Sequence, residues 1–150
     1  NAEDHPVYTP VHRYARDIIV SLNHWVSGWI DWNIVLDKDG GPNHVGNFCA
    51  APIMIDTETA YVYYTPIFHV LSQLSRSIRP GDRAVEVNMM RDELGADDIH
   101  ASASLNDDNL LSVQILNTTK QAIDYQLQIG SQFAAVTIDA NALQTVRVQM

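Results

Sequence analysis

"GWIDWNIVLDKDGGPNHVGNF" occupies Gly28–Phe48 and joins two of the chain's three tryptophans to an Asp-Trp-Asn triplet and a Gly-Gly-Pro-Asn turn. Such a mixture of aromatic, acidic and turn-forming residues in one short segment has the composition of a binding site. Val26 to Leu36 is rich in β-branched and aromatic residues and predicts a buried strand. Asp37 to Pro52 carries turn and loop signals. Upstream, Thr9-Pro10 offers an N-cap and a first-turn proline. Val11, Tyr14, Ala15, Ile18, Ile19, Leu22 and Trp25 then recur at helical spacing. Downstream, after a strand-like stretch, the same Thr-Pro start returns at Thr65-Pro66. Ile67, Val70, Leu71, Leu74 and Ile78 mark a second amphipathic helix that stops before Pro80-Gly81.

The pattern changes near Pro80. Six short strands are predicted at Arg83–Met89, Ile99–Leu105, Leu110–Leu116, Ile123–Ile129, Phe133–Ile138 and Leu143–Val148. Ile123, Tyr125, Leu127 and Ile129 alternate with Asp124, Gln126 and Gln128, the period of a half-buried strand. Asn106–Asn109 and Asn117–Lys120 are turns between them. This rhythm predicts a β-sandwich over residues 80–150. Residues 1–79 present a different problem. One strand between two helices leaves two sheet edges unpaired and the helices without a complete core. The expected solution is the end of a larger (β/α)8 TIM barrel, its last βα unit. The fold class is therefore α/β plus β: a barrel end over 1–79, then a sandwich.

Composition narrows the function. At 150 residues the chain can bury a real core, roughly 68–70% of its unfolded surface. A hydrophobic share of 46% and a charged share of 18% are those of a globular protein. The net charge of −9 argues against nucleic acid as a partner, because a phosphate backbone needs a basic face. No apolar run approaches the ~18 residues of a membrane helix, so no transmembrane segment is expected. Cys49 is the only cysteine, which excludes an internal disulfide and a cysteine-based zinc site. The chain begins at Asn1 rather than Met, so its compartment is not legible from the N-terminus.

Common catalytic patterns are absent. His5, His12, His24, His44, His69 and His100 show no metal-ligand spacing, and no cofactor motif is present. Asp37-x-Asp39-Gly40 starts like a calcium loop but Gly41 stands at the next ligand position and no Glu closes it. There is no nucleophile elbow and no phosphate-binding glycine loop. What remains is the tryptophan segment. Indole offers a wide apolar platform to the flat face of a sugar ring, and Asp or Asn beside it can bond ring hydroxyls. On a strand, Trp29 and Trp32 point to opposite faces. Trp32, nearer the strand's C-terminal end, is the expected ligand contact, while Trp29 is expected to pack towards the helices.

Gly28-Trp29-Ile30-Asp31-Trp32-Asn33, Gly40-Gly41-Pro42-Asn43, Asn47-Phe48 and Pro52-Ile53-Met54-Ile55-Asp56 occur in the order and spacing of a motif block. The block resembles the C-terminal region of glycoside hydrolase family 30, in its glucosylceramidase-like branch. The likeness continues through "YTPIFHVLSQLSRSIRPGDRAV" (64–85) and fades in the β-rich tail. The resemblance implies a (β/α)8 barrel with an attached β-sandwich, retaining hydrolysis of β-glucosides such as glucosylceramide, and a secreted or lysosome-like compartment. Retaining chemistry uses two carboxyl groups about 5–5.5 Å apart. In the family both are glutamates on upstream barrel strands, and Glu3, Glu58, Glu86 and Glu93 do not occupy matching places. No catalytic residue is expected in this chain, and its partner is the N-terminal barrel portion of the same enzyme. The resemblance assigns Trp32 to the sugar subsite, Asp31 beside it, and Asn47 and Phe48 to the pocket mouth. His44 stands where the family motif has Trp, on the aglycone side. Two other readings remain: a non-catalytic carbohydrate-binding or interaction module, and a family member acting on β-1,6-glucan.

Overall fold

The computed structural model describes residues 8–42, 45–46, 48–91 and 94–150. Two helices, α1 (Tyr8–Asn23) and α2 (Pro66–Ser77), lie against a four-stranded antiparallel sheet. That sheet has the order β4 (Arg83–Val85), β5 (Ile99–Leu105), β6 (Leu110–Asn117), β9 (Ala142–Gln149). On its other face packs a hairpin, β7 (Ile123–Ile129) and β8 (Gln132–Ile138). A separate small sheet carries β1 (Val35–Asp37), β2 (Ile53–Asp56) and β3 (Tyr61–Tyr64).

The sandwich follows from alternation. Ile99, Ala101 and Ala103 of β5 and Leu111, Val113 and Ile115 of β6 are buried against Ile138 and the inward side chains Ile123, Tyr125, Leu127 and Ile129. The opposite faces of the same two strands are also buried, but they carry His100, Ser102, Ser104, Ser112, Gln114 and Leu116. They face the helices. Leu116 joins Ala15, Ile18 and Ile19 of α1 and Val70 and Leu74 of α2 in a second core. Polar residues survive in this interface because most find partners. Ser102 Oγ donates to Gln114 Oε1 (3.1 Å), Asn23 Nδ2 to the Ala101 carbonyl (2.8 Å), and Gln73 Nε2 to the Leu143 carbonyl (3.0 Å).

Four sequence expectations change. The strand predicted over Val26–Leu36 is confined to Val35–Asp37, and residues 26–34 are irregular. A strand needs a neighbour for its backbone groups, and pairing on β2 begins only where Val35 meets Ile53. β1 also has a partner that spacing did not reveal: β2 runs parallel to it and pairs antiparallel with β3 on its other side. The strand predicted over Arg83–Met89 stops at Val85. Val87 and Met89 still pack on the sandwich core, so the alternating pattern records burial rather than pairing. At the helix starts, Thr9 lies inside α1 instead of capping it. Thr65 does precede α2, with Pro66 in the first turn, but its hydroxyl donates back to the Ala51 and Pro52 carbonyls at 3.0 Å. It thus ties α2 to the start of β2.

Candidate functional site

The Gly28–Phe48 segment is positioned from both ends. At its start, α1 ends at Asn23 and Trp25 takes a left-handed backbone conformation (φ 65°), which turns the chain out of the helix. Trp29 then returns to α1. Its ring meets that of Tyr14 edge-on, with centroids 5.7 Å apart, and it joins the helical core. The Tyr14 hydroxyl donates to Asp31 Oδ1 at 3.2 Å. Burial, and then the Asp31 carboxylate, push the Tyr14 phenol above its ordinary value. One side chain of α1 therefore packs the first tryptophan and orients the acid next to the second. Trp32, between Asp31 and Asn33, is 78% exposed and presents its indole outward.

At the far end the Asp37–Gly41 turn closes on itself. Asp37 Oδ1 accepts the backbone N–H groups of Asp39 (2.9 Å) and Gly41 (2.8 Å), and the Asp37 N–H donates to the Gly41 carbonyl (2.7 Å). The carboxylate that opens the failed calcium pattern is thus a turn organiser. Gly40 has φ 79° and lies against the backbone of Phe48 and Cys49, where a Cβ would collide with the Cys49 N–H group. Only glycine fits both the angle and the approach. This contact sets Phe48, itself 69% exposed, beside the turn that follows β1. Gly41–Pro42 is a cis peptide. Lys38, next in the turn, pairs with Glu58 (2.9 Å) and Asp56 (3.6 Å) at the end of β2.

Of the predicted site residues, Asp31 and Trp32 lie before β1 and Phe48 after it, on one segment anchored by Tyr14 and Gly40. His44 and Asn47 lie outside the described residues. Trp29 packs towards α1 as its assigned role required, although by leaving the helix through a turn rather than by strand alternation. Tyr14 and Asp37 were missed as positioning residues. Asp37 carried a signal, the Asp-x-Asp-Gly turn pattern. Tyr14 read only as a core position of a helix. Of the glutamates described, Glu58 sits in the β2–β3 turn and is paired with Lys38, and Glu86 follows β4 in the sandwich. Cys49 is half-buried. Among the described residues no group of histidine, cysteine and carboxylate side chains is arranged to hold a metal ion, and no helix is long and apolar enough to cross a membrane.

Residues 3–78 match the glycosyl hydrolase family 30 TIM-barrel domain, and residues 84–146 match that family's β-sandwich domain. The chain belongs to glycosyl hydrolase family 30. Among curated relatives, this family 30 chain is 31% identical over 144 residues to putative glucosylceramidase 4 of Caenorhabditis elegans, covering 93% of the chain and 27% of that protein. It is 33% identical over 111 residues to the lysosomal acid glucosylceramidase of Mus musculus, covering 74% of the chain and 21% of that protein. The chain thus spans about a quarter of the length of these relatives. The solved structure of SrfJ from Salmonella typhimurium superposes over 100% of the chain and 33% of its own, with a TM-score of 0.86 and 25% identity. The endo-β1,6-glucanase BT3312 shares the fold over 90% of the chain and 31% of its own, at a TM-score of 0.76 and 22% identity. The architecture is the end of a family 30 barrel joined to its sandwich.

Proposed function

We propose that this chain is the C-terminal part of a retaining β-glycosidase that hydrolyses β-glucosides such as glucosylceramide, and so serves sphingolipid breakdown. The barrel end covers residues 1–79 and the sandwich 80–150. The chain supplies sugar-subsite groups, and the two catalytic glutamates lie on upstream barrel strands. Alone it turns over no substrate, since neither nucleophile nor acid is present.

The observation that carries this reading is the exposed Trp32 beside an anchored acid. Trp32 offers its indole to the apolar face of a glucose ring, and Asp31, oriented by Tyr14, accepts from a ring hydroxyl or from a neighbour that touches the sugar. By family resemblance, Asn47 and Phe48 are assigned to the pocket mouth and His44 to the aglycone side. The apolar surface around the segment supports an upstream partner. Ile30 is 94% exposed and Ile34 and Val35 lie outward, a surface that a neighbouring barrel strand would cover. The outer edge of β1 has no strand partner among the described residues.

The full-length protein tested on glucosylceramide and on β-1,6-glucan, with retention of the anomeric configuration followed by NMR, checks the reading. Hydrolysis of glucosylceramide with retention supports it. Preference for β-1,6-glucan would replace the substrate while keeping the family. Sugar binding without hydrolysis would leave a carbohydrate-binding module.

A further inference from the structure

Lys38 stands where two turns meet. It follows Asp37 in the Asp37–Gly41 turn, and the turn between β2 and β3 lies beside it. Its backbone N–H donates to the Ile55 carbonyl at 3.0 Å, and its Nζ reaches Glu58 Oε1 at 2.9 Å and Asp56 Oδ1 at 3.6 Å. These acceptors are themselves held. Asp56 Oδ1 accepts the Glu58 backbone N–H at 2.9 Å, and the Thr59 side chain bonds the Asp56 carboxylate. Asp39, next in the turn, adds a third negative charge near the amine. Led by the Glu58 hydrogen bond, these carboxylates hold the Lys38 amine above its ordinary pKa. One cation thus joins three carboxylates, and every one of these contacts is made within the chain.

An exposed ion pair adds little to stability. Its consequence here is position. Without the ammonium, Asp39 on one turn and Asp56 and Glu58 on the other are like charges brought together, and they repel. The turn that Lys38 holds also carries Gly40, which lies against the backbone of Phe48 and Cys49. A path of direct contacts therefore runs from the β2–β3 turn through Lys38 and Gly40 to Phe48. Asp31, beside Trp32, is held instead by Tyr14 of α1. The two ends of the site have separate anchors.

We propose that Lys38 is a positioning residue that holds the Phe48 side of the site and so sets how well a bulky leaving group is received, without touching the sugar. This rests on the glycosidase reading, which assigns Phe48 to the pocket mouth. The test uses Lys38→Met, Lys38→Arg, Glu58→Gln and the Lys38→Met/Glu58→Gln double variant of the full-length protein. Hydrogen exchange in the peptide spanning residues 38–49 reads position directly. It should quicken about two- to fivefold in Lys38→Met and stay at the parent rate in Lys38→Arg. The double variant should exchange no faster than Lys38→Met, since both changes remove the same contact. In kinetics, Lys38→Met should raise KM for glucosylceramide about two- to fivefold and leave kcat within about twofold. KM for a nitrophenyl β-glucoside, whose leaving group is a single ring, should not move. The proposal is overturned if exchange is unchanged in Lys38→Met, if Lys38→Arg behaves like Lys38→Met, if the two changes add in the double variant, or if KM rises alike for both substrates. A parent protein that hydrolyses neither substrate would refute the glycosidase reading and the leaving-group role with it, while exchange would still decide whether Lys38 holds Phe48.

Discussion

Strands β5 and β6 and the segment Gly28–Phe48 are both rich in large side chains, and they use them in opposite ways. On the two strands, Ile99, Ala101, Leu111, Val113 and Ile115 face one core while Leu116 enters another, and even the serines between them are buried. On the segment, Ile30, Trp32, Ile34 and Phe48 all point outward. The strands are covered by parts of this chain on both faces. The segment is covered on one side only, through Trp29 and Asp31 on Tyr14. A region whose apolar groups are satisfied within the chain is there for stability. A region held firmly by a few anchors, with its aromatics left open, is there to meet something else.

That contrast can be broken by substitution, with each variant built in the full-length protein. Leu116→Ala removes a side chain that is 1% exposed and bridges the helices to the sandwich. It should destabilise by about 2–5 kcal/mol in denaturant unfolding. Gly40→Ala puts a Cβ into the backbone of Cys49 at φ 79°, and should cost more than about 1 kcal/mol while displacing Phe48. Activity on a β-glucoside should fall with it. Trp32→Ala is the reverse case. Its ring is exposed, so stability should move by less than about 0.5 kcal/mol. Loss of its sugar contact should nonetheless lower kcat/KM by about tenfold or more, as each ~1.4 kcal/mol of transition-state binding is tenfold. A Trp32→Ala protein that is unstable but catalytically unchanged would erase the distinction between the two regions.

The smallest effect concerns acidity. Burial lowers the His100 pKa below its ordinary 6.5, against an opposing hydrogen bond and charge from Asp97, while Arg16 and Arg91 lower it further. Burial lowers His12 in the same direction. The folded state then binds fewer protons than the unfolded one, so these groups favour folding above pH 6.5. That contribution is lost as the pH falls from there through their folded pKa values. His100→Gln should reduce the slope of stability against pH in this range, measured by urea unfolding between pH 7 and pH 5, and leave the His12 part.

How much of this was legible in the sequence differs between the same two regions. In β7, Ile123, Tyr125, Leu127 and Ile129 alternate in the sequence and in burial, because a hairpin over a core has one wet face and one dry face. In β3, Tyr61-Val-Tyr-Tyr64 is exposed throughout, so no alternation marks it. The pairing of Val35–Asp37 with Ile53–Asp56 spans a loop of turn residues, and parallel contacts of that kind leave no local trace. The motif block pointed to Asp31, Trp32 and Phe48 as site residues. The geometry that holds them was not readable, since Tyr14 reaches Asp31 only through the path of the chain after α1. Asn117 shows the opposite failure. Asn117-Thr118-Thr119 fits a glycosylation acceptor, yet the Asn117 side chain is fully buried and donates to the Gln121 and Asp139 carbonyls at 2.8 and 2.9 Å. A turn motif and a modification motif share the same residues, and only the burial separates them.

The central claim is that the catalytic pair lies upstream and that these residues receive the sugar. Labelling the full-length protein with a 2-deoxy-2-fluoro β-glucoside, followed by peptide mapping, tests it most directly, because a retaining enzyme traps the sugar on its nucleophile. The account predicts one glucosyl label on a glutamate upstream of residue 1 and none within 1–150. A label on Glu58 or Glu86, or no covalent label on a protein that hydrolyses the parent β-glucoside, would contradict it.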